Sequence, residues 1–173
     1  MKILLVCERL DGKSGWATYT RDLKNELIQN KHTVHTICHD CECGEVHTIL
    51  PDPLSLISRP WRAYTAARRM QKVIEALQPD CIHITVEPYM LCINFLPRNI
   101  RNKIVVTIHG SYGVRLLNFR SVRRLTLNTI KSVCNFITVS TYTKNRVMQT
   151  VQKFDPKLSE FFRKFAGDIE FPE

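Results

Sequence analysis

Lys103–Gly113, K-I-V-V-T-I-H-G-S-Y-G, is the stretch of sequence around which we interpret the rest of the chain. It begins with apolar, mostly β-branched residues, which predict one buried strand. His109 and Gly110 follow at once, and ligands bind in the crevice outside the carboxyl ends of parallel strands. The stretch therefore predicts an imidazole presented to a ligand on an open backbone. The alternative is a histidine that only caps the sheet, and the spacing alone does not separate the two.

Strand, helix and turn signals alternate along the rest of the chain, which indicates an α/β domain with a mainly parallel sheet. Further strands are predicted at Ile3–Cys7, Thr33–Cys38, Asp80–Val86 and Asn135–Val139. Helices are predicted from Trp16 to Leu27, from Ser58 to Gln78, over Phe119–Val133 and from Ser140 to Gln152. The 173 residues contain no repeat or internal linker, so we expect a single domain over residues 1–173.

Composition favours a cytoplasmic protein. No apolar run approaches the roughly 20 residues of a membrane span, and the apolar start Met1–Cys7 is not followed by a small-residue cleavage site. The seven cysteines are an odd number and lie mostly in apolar strands, which favours buried reduced thiols over a disulfide framework.

The net charge of +9 is unevenly distributed. Residues 88–154 contain no Asp or Glu but eleven Lys or Arg residues. Such asymmetry predicts an anionic partner, which could be phosphates, an acidic lipid surface or nucleic acid. The alternative is a basic face that is only solvated.

The helix predicted over Phe119–Val133 is amphipathic, and its basic side suggests a membrane contact. Leu127 and the upstream pair Leu116 and Leu117 fall near that side, and basic residues beside exposed leucines suit an anionic bilayer. The membrane-binding candidates are four arginines: Arg115, Arg120, Arg123 and Arg124. A core-packed helix with a solvated basic face is the alternative. A second basic run, residues 59–72, contains Trp61 and Tyr64.

The other candidate site residues follow strands or open helices at the same sheet edge as His109. Gly12 and Gly15 lie between the first strand and a helix, where backbone N–H groups could hold a phosphate, with Ser14 between them. Their spacing is not G-x-G-x-x-G, so we do not expect an NAD site, and a plain turn is the alternative. Glu87 ends the strand before His109 and could bind a polyol or only cap the next segment, and Ser140 opens the last predicted helix.

A run of potential metal ligands occupies residues 35–47: His35, Cys38, His39, Cys41, Cys43 and His47. Zinc needs four such ligands in a tetrahedron. Half of these residues lie on a predicted strand, where side chains alternate faces, and no second ligand pair follows at a suitable distance. We therefore expect no metal site.

Five segments occur in the order of a known family: C-E-R-L-D-G-K-S-G-W-A-T-Y-T-R-D-L, N-K-H-T-V-H-T-I-C, P-D-C-I-H-I-T-V-E-P, I-V-V-T-I-H-G-S-Y-G and F-I-T-V-S-T-Y-T-K-N-R-V. This series resembles the N-terminal domain of the family-4 retaining glycosyltransferases, which have the GT-B fold. The resemblance implies a Rossmann-like, three-layer acceptor domain. It places His109 beside the transferred sugar and donor phosphates as the catalytic candidate, Gly15 near the diphosphate, and Ser140 at the interdomain cleft.

The chain departs from the family pattern at two places. Ser14 stands where the family loop often has a glycine, which bears on how closely a phosphate can approach. The chain also stops at G-D-I-E-F-P-E, about where the family crosses into its donor domain. We therefore expect no turnover by this polypeptide alone, and a C-terminal donor domain in cis or in trans.

The resemblance implies transfer of a sugar from a nucleotide-sugar to a lipid-linked or polysaccharide acceptor at a membrane surface. The nucleotide-sugar is a substrate held mainly by the donor domain, so no cofactor is expected. Gly12, Gly15 and Ser140 are assigned to the donor phosphates, and Glu87, Gly110 and Ser14 to substrate. The first alternative is a non-catalytic subunit that docks on the inner face of the membrane. A nucleic-acid-binding α/β domain is the second, but nucleic acid is not expected as a partner because no RNA- or DNA-binding motif occurs.

Overall fold

A computed structural model describes residues 1–40, 46–133 and 135–158, without the side chains of residues 46–48. The strands are β1 (Lys2–Val6), β2 (Thr33–Cys38), β3 (Val46–Thr48), β4 (Cys81–Ile84), β5 (Ile104–Ile108) and β6 (Asn135–Thr138). The helices are α1 (Gly15–Gln29), α2 (Ser55–Ser58), α3 (Arg62–Leu77), α4 (Arg98–Arg101), α5 (Ser111–Asn118), α6 (Arg120–Ser132) and α7 (Thr141–Phe154). A 3₁₀ segment, Glu87–Phe95, follows β4.

The six strands form one parallel sheet in the order β3-β2-β1-β4-β5-β6. This confirms the predicted α/β class. The chain leaves β1 towards β2 and leaves β4 towards β5, so the direction of winding reverses between these two central strands. In open α/β sheets such a switch point opens the crevice in which ligands bind.

Strands β4 and β5 have one wholly apolar face and one face that carries His83 and Thr107, because side chains alternate along a strand. Ile82, Ile84, Ile104, Val106 and Ile108 belong to the hydrophobic core, as do residues of α3, the 3₁₀ segment and α6. The opposite face meets α1 through the polar residues described below. Right-handed crossovers account for α1 and α3 lying on opposite faces of the sheet, and the result is the expected three-layer, Rossmann-like domain.

Two helices begin at serine caps, of which the sequence predicts Ser140 but not Ser14. Ser14 precedes α1 and its hydroxyl accepts the Ala17 N–H, and Ser140 caps α7 through the Thr143 N–H. Each cap satisfies a backbone donor that the first turn would leave unpaired. The helix expected from Ser58 to Gln78 occurs as α3, which begins later, at Arg62, and the short α2 that ends at Ser58 precedes it.

The leucines expected to be exposed beside the basic residues are not exposed. Leu116 and Leu117 are fully buried, and Leu127 is half-buried against the core. They lie on α5 and α6, which are two helices separated by extended backbone at Phe119. The expectation of a membrane contact through these leucines is therefore wrong.

The thiols of Cys7, Cys81 and Cys92 are free, as expected, whereas Cys38 is disulfide-bonded. Cys134 lies outside the described residues. Of the potential metal ligands, Cys41 and Cys43 also lie outside them, and the described part of the chain holds no cluster that could bind a metal ion. No described helix is both long and apolar enough to cross a bilayer.

Candidate active site

His109 lies just beyond the carboxyl end of β5 and is fixed at three points. Its backbone N–H donates to Glu87 Oε1 at 2.8 Å, and its ring Nε2 lies 2.9 Å from the Thr85 carbonyl oxygen. The Tyr19 ring packs edge-on against the imidazole at a centroid distance of 4.7 Å. Because a carbonyl only accepts, Nε2 must carry a hydrogen, so Nδ1 is the unprotonated nitrogen of the neutral ring. The ring therefore has a defined tautomer.

A buried polar seam between α1 and the sheet supports this histidine. Thr107 Oγ1 is 2.7 Å from His83 Nε2 and 3.2 Å from the Tyr19 hydroxyl. Beside it, the hydroxyls of Thr20 and Thr85 are 2.7 Å apart. Burial lowers the pKa of His83 from 6.5 to about 4, so His83 is neutral at physiological pH. The seam is a connected set of satisfied polar groups and holds Tyr19 against His109.

The loop before α1 and the first residue of that helix offer two closed positions and one open position to a ligand. The Ser14 hydroxyl accepts from Ala17 N–H at 3.1 Å and lies 3.3 Å from Glu8 Oε2, so capping occupies it. At Gly12, with φ at +75°, the Arg21 guanidinium fills the space that a side chain would need. At Gly15 an added Cβ would meet no described atom within 4 Å. Gly15 is thus the glycine of this loop that leaves room for a ligand.

The first turns of three helices meet around His109. Trp16 of α1 and Tyr112 of α5 have ring centroids 4.9 Å apart. A Cβ on Gly110, which has φ at +135° and precedes α5, would lie 3.5 Å from Thr143 Oγ1 in α7. Each helix N-terminus carries about half a positive charge and unpaired N–H groups. The arrangement suits an anion at the edge where His109 lies.

Glu87 lies beneath this edge and does not face solvent. Its side chain is fully buried, and Oε2 has no hydrogen-bond partner among the described residues. The carboxylate instead holds the backbone of His109. This geometry favours positioning of His109 over the direct substrate contact predicted from the sequence.

Comparison with known proteins gives a family. The model of Glycosyltransferase Family 4 matches residues 13–157. The chain belongs to glycosyltransferase family 4. A comparison with curated protein sequences found no significant match.

One solved structure to which the chain is similar is an α-glucosyltransferase in complex with UDP and a 13-mer DNA containing an HMU base. It is 16% identical, with a TM-score of 0.48, and the match covers 80% of the present chain and 37% of that one. The family-4 domain therefore spans well under half the length of this glucosyltransferase. The expectation that nucleic acid is not a partner stays a prediction.

The four arginines assigned to a membrane do not form one set in the family-4 domain. Arg123 Nε donates to the Leu117 carbonyl at 2.7 Å, and its guanidinium lies 3.9 Å from the centroid of the Phe154 ring. It therefore holds the end of α5 in place. Arg115 lies over the Tyr112 ring at 5.3 Å, whereas Arg120 and Arg124 are exposed at the start of α6.

Sequence reasoning did not find Tyr19, Thr85 and Thr107, which together with His83 surround His109. A signal for them is present in the sequence. His83 and Thr85, like Thr107 and His109, are polar residues two positions apart on neighbouring buried strands, and such pairs share one face of a sheet. The residues brought together at the sheet edge are the predicted ones, Gly15, Ser14, Gly110, Ser140 and His109, with Glu87 below them.

Proposed function

We infer that the chain is the N-terminal, acceptor-side domain of a glycosyltransferase that moves a sugar from a nucleotide-sugar to a lipid-linked or polysaccharide acceptor. Family membership supports transfer of a glycosyl group. The observation that carries the proposal is the meeting of the α1, α5 and α7 N-termini around His109.

Charge stabilisation is the chemistry that this site offers. When a sugar leaves a nucleoside diphosphate, negative charge develops on the departing phosphate oxygens. Backbone N–H groups at Gly15 and the helix dipoles are fixed before the reaction, so they need no reorganisation when that charge appears. The unprotonated Nδ1 atom of His109 can accept a hydrogen bond from a hydroxyl of the sugar. This assignment agrees with a retaining transfer that uses no protein nucleophile from this domain.

The remainder of the active site belongs to a donor domain. We propose that this domain, in cis or in trans, binds the nucleotide and supplies the cations that face the diphosphate. The polypeptide 1–173 alone is then expected to bind anions without turnover. The nucleotide-sugar is a substrate, and no cofactor takes part in the proposed reaction.

A His109→Gln variant tests the proposal in the enzyme assembled with its donor domain. We expect kcat to fall by about 10²-fold or more, as for the loss of a positioned polar group in a transition state. His32→Gln is the matched control, because His32 is also half-exposed but lies in the turn after α1. Transfer at the wild-type rate by the His109 variant would show that this edge is not the reacting site.

A further inference from the structure

We propose that the starts of α3 and α6 form one surface that docks on an anionic lipid bilayer. We call it the arginine–aromatic surface, and its members are Leu54, Arg59, Trp61, Tyr64, Arg68, Phe119, Arg120 and Arg124. The inference deepens the proposed function, since it says where a membrane-bound acceptor is met. Docking itself does not depend on sugar transfer.

Two stretches distant in sequence are neighbours on this surface. The Ser121 hydroxyl at the start of α6 lies 3.4 Å from the Ile57 carbonyl oxygen of α2. The Tyr64 ring of α3 packs edge-on against Phe95 at 5.7 Å, and the adjacent Asn94 donates to the Leu125 carbonyl of α6 at 3.0 Å. These contacts place the basic run of residues 59–72 beside the basic start of α6.

The apolar side chains on this surface are unusually exposed. Trp61 is 68% exposed, Tyr64 53%, Phe119 46% and Leu54 44%. Tryptophan and tyrosine combine an apolar ring with a polar atom, which suits the headgroup region of a bilayer. The side chains that would enter the bilayer are thus Trp61, Tyr64 and Phe119. Leu116 and Leu117 are buried and cannot do so.

The charge of the surface is complementary to anionic lipid. Arg59, Arg68, Arg120 and Arg124 are exposed, and residues 53–74 and 88–154 contain no Asp or Glu. The nearest acid in sequence, Asp52, accepts the Ser55 N–H at 2.8 Å. Basic residues at a membrane surface are attracted to acidic headgroups, and the attraction is screened by salt. An exposed leucine beside the rings favours a bilayer over nucleic acid, whose phosphates offer it no apolar contact.

The surface lies next to the candidate active site in the topology. Helices α3 and α6 both run back from the carboxyl edge of the parallel sheet, so their first residues lie near that edge. Helix α5 connects His109 directly to Phe119. A bilayer docked here would present the head of a lipid-linked acceptor close to His109.

The experiment uses the fluorescence of Trp61 with lipid vesicles. The chain has two tryptophans, so Trp16→Phe leaves Trp61 as the reporter. We expect a blue shift with phosphatidylglycerol vesicles that is lost at high salt, and no shift with pure phosphatidylcholine. Equal binding to both vesicle types, or binding without any change at Trp61, would overturn the proposal.

Matched charge variants separate this surface from general basicity. The triple variant Arg59→Gln, Arg120→Gln and Arg124→Gln should weaken vesicle binding at least tenfold. The triple variant Arg146→Gln, Lys153→Gln and Lys157→Gln removes the same amount of charge from exposed positions elsewhere, and it should bind vesicles as tightly as wild type. Trp61→Ala is compared in the same way with Tyr142→Ala, because both side chains are 68% exposed. Equal losses within either pair would contradict the proposal.

Two further readouts distinguish the possible failures. If the surface triple variant loses binding to a DNA oligonucleotide and wild type ignores vesicles, the surface is a nucleic-acid interface and the proposal is overturned. In the assembled enzyme, we expect the surface variant to transfer sugar to a water-soluble acceptor at the wild-type rate. If His109→Gln loses sugar transfer but still binds vesicles, this would support separate sites for sugar transfer and for membrane docking.

Discussion

A buried carboxylate that supports a histidine backbone is the residue-scale feature on which the site depends. Glu87→Ala removes the acceptor of the His109 N–H, and leaving a buried donor unpaired costs about 1–3 kcal/mol of unfolding free energy. Glu87→Gln keeps a carbonyl oxygen and should lose less. Urea denaturation measures both variants, and the amide resonance of His109 should move most in Glu87→Ala. Equal stability of wild type and Glu87→Ala would show that the contact contributes nothing.

His83 predicts a dependence of stability on pH. Burial lowers its pKa from 6.5 to about 4, so between these values the unfolded chain binds a proton that the folded chain does not. Stability should therefore fall as the pH falls from 6.5 to 4, by up to about 3 kcal/mol from this residue. His83→Gln keeps a partner for Thr107 and should flatten the slope in this range. An unchanged slope in denaturation at several pH values would contradict the assignment.

Single residues also show how far the sequence could predict the site. Parallel strands end at one edge, so the positions of His109, Gly15 and Ser140 at that edge followed from their places after strands or before helices. The burial of Glu87 did not, because Glu87 begins a 3₁₀ segment that is buried from Glu87 to Ile93, and the sequence pattern did not predict this packing. The sequence also did not predict that the Ser14 hydroxyl caps α1 and therefore does not face a ligand.

At the scale of elements, the fit of α5 against its neighbours depends on one glycine. A Cβ on Gly113 would lie 2.5 Å from Ile108 Cγ2 and 3.3 Å from Val147 Cγ2, so α5 lies close to β5 and α7. Gly113→Ala should destabilise the chain by about 1–3 kcal/mol, the usual cost of overpacking. Gly15→Ala is the control, since that position is open. Thermal or urea unfolding should leave the control unchanged or slightly stabilised, and equal losses in both variants would contradict the close packing.

Element boundaries were the part of the fold that sequence periodicity predicted least well. The helix expected over Phe119–Val133 occurs as α6, but the chain upstream forms a separate helix that ends at Asn118. Arg123 bonds to the carbonyls of Leu117 and Asn118 and so holds the end of α5. An arginine that caps a helix looks the same in a helical pattern as one that faces solvent. The periodicity therefore could not separate Arg123 from Arg120 and Arg124.

At the scale of the whole molecule, the order of the strands separates the candidate anion-binding crevice from the exposed arginines. The switch between β1 and β4 opens a crevice that three helix N-termini approach, while the exposed arginines gather beside it on α3 and α6. A net charge of +9 makes the folded chain repel itself, so any salt should stabilise it by screening. A specific anion site adds stabilisation beyond screening, and this difference is measurable.

Pyrophosphate should therefore raise the melting temperature more than sodium chloride at the same ionic strength. At ten times its dissociation constant a ligand adds about 1.4 kcal/mol, which for a chain of this size is about 4 °C. Gly15→Ala places a methyl group in the open space beside the α1 N-terminus, so it should keep the stability of the free chain and lose the extra shift. The Arg59, Arg120 and Arg124 triple variant should keep the shift, because its arginines lie outside the crevice. An equal effect of chloride, or loss of the shift only in the triple variant, would place anion binding on the basic surface instead of around His109.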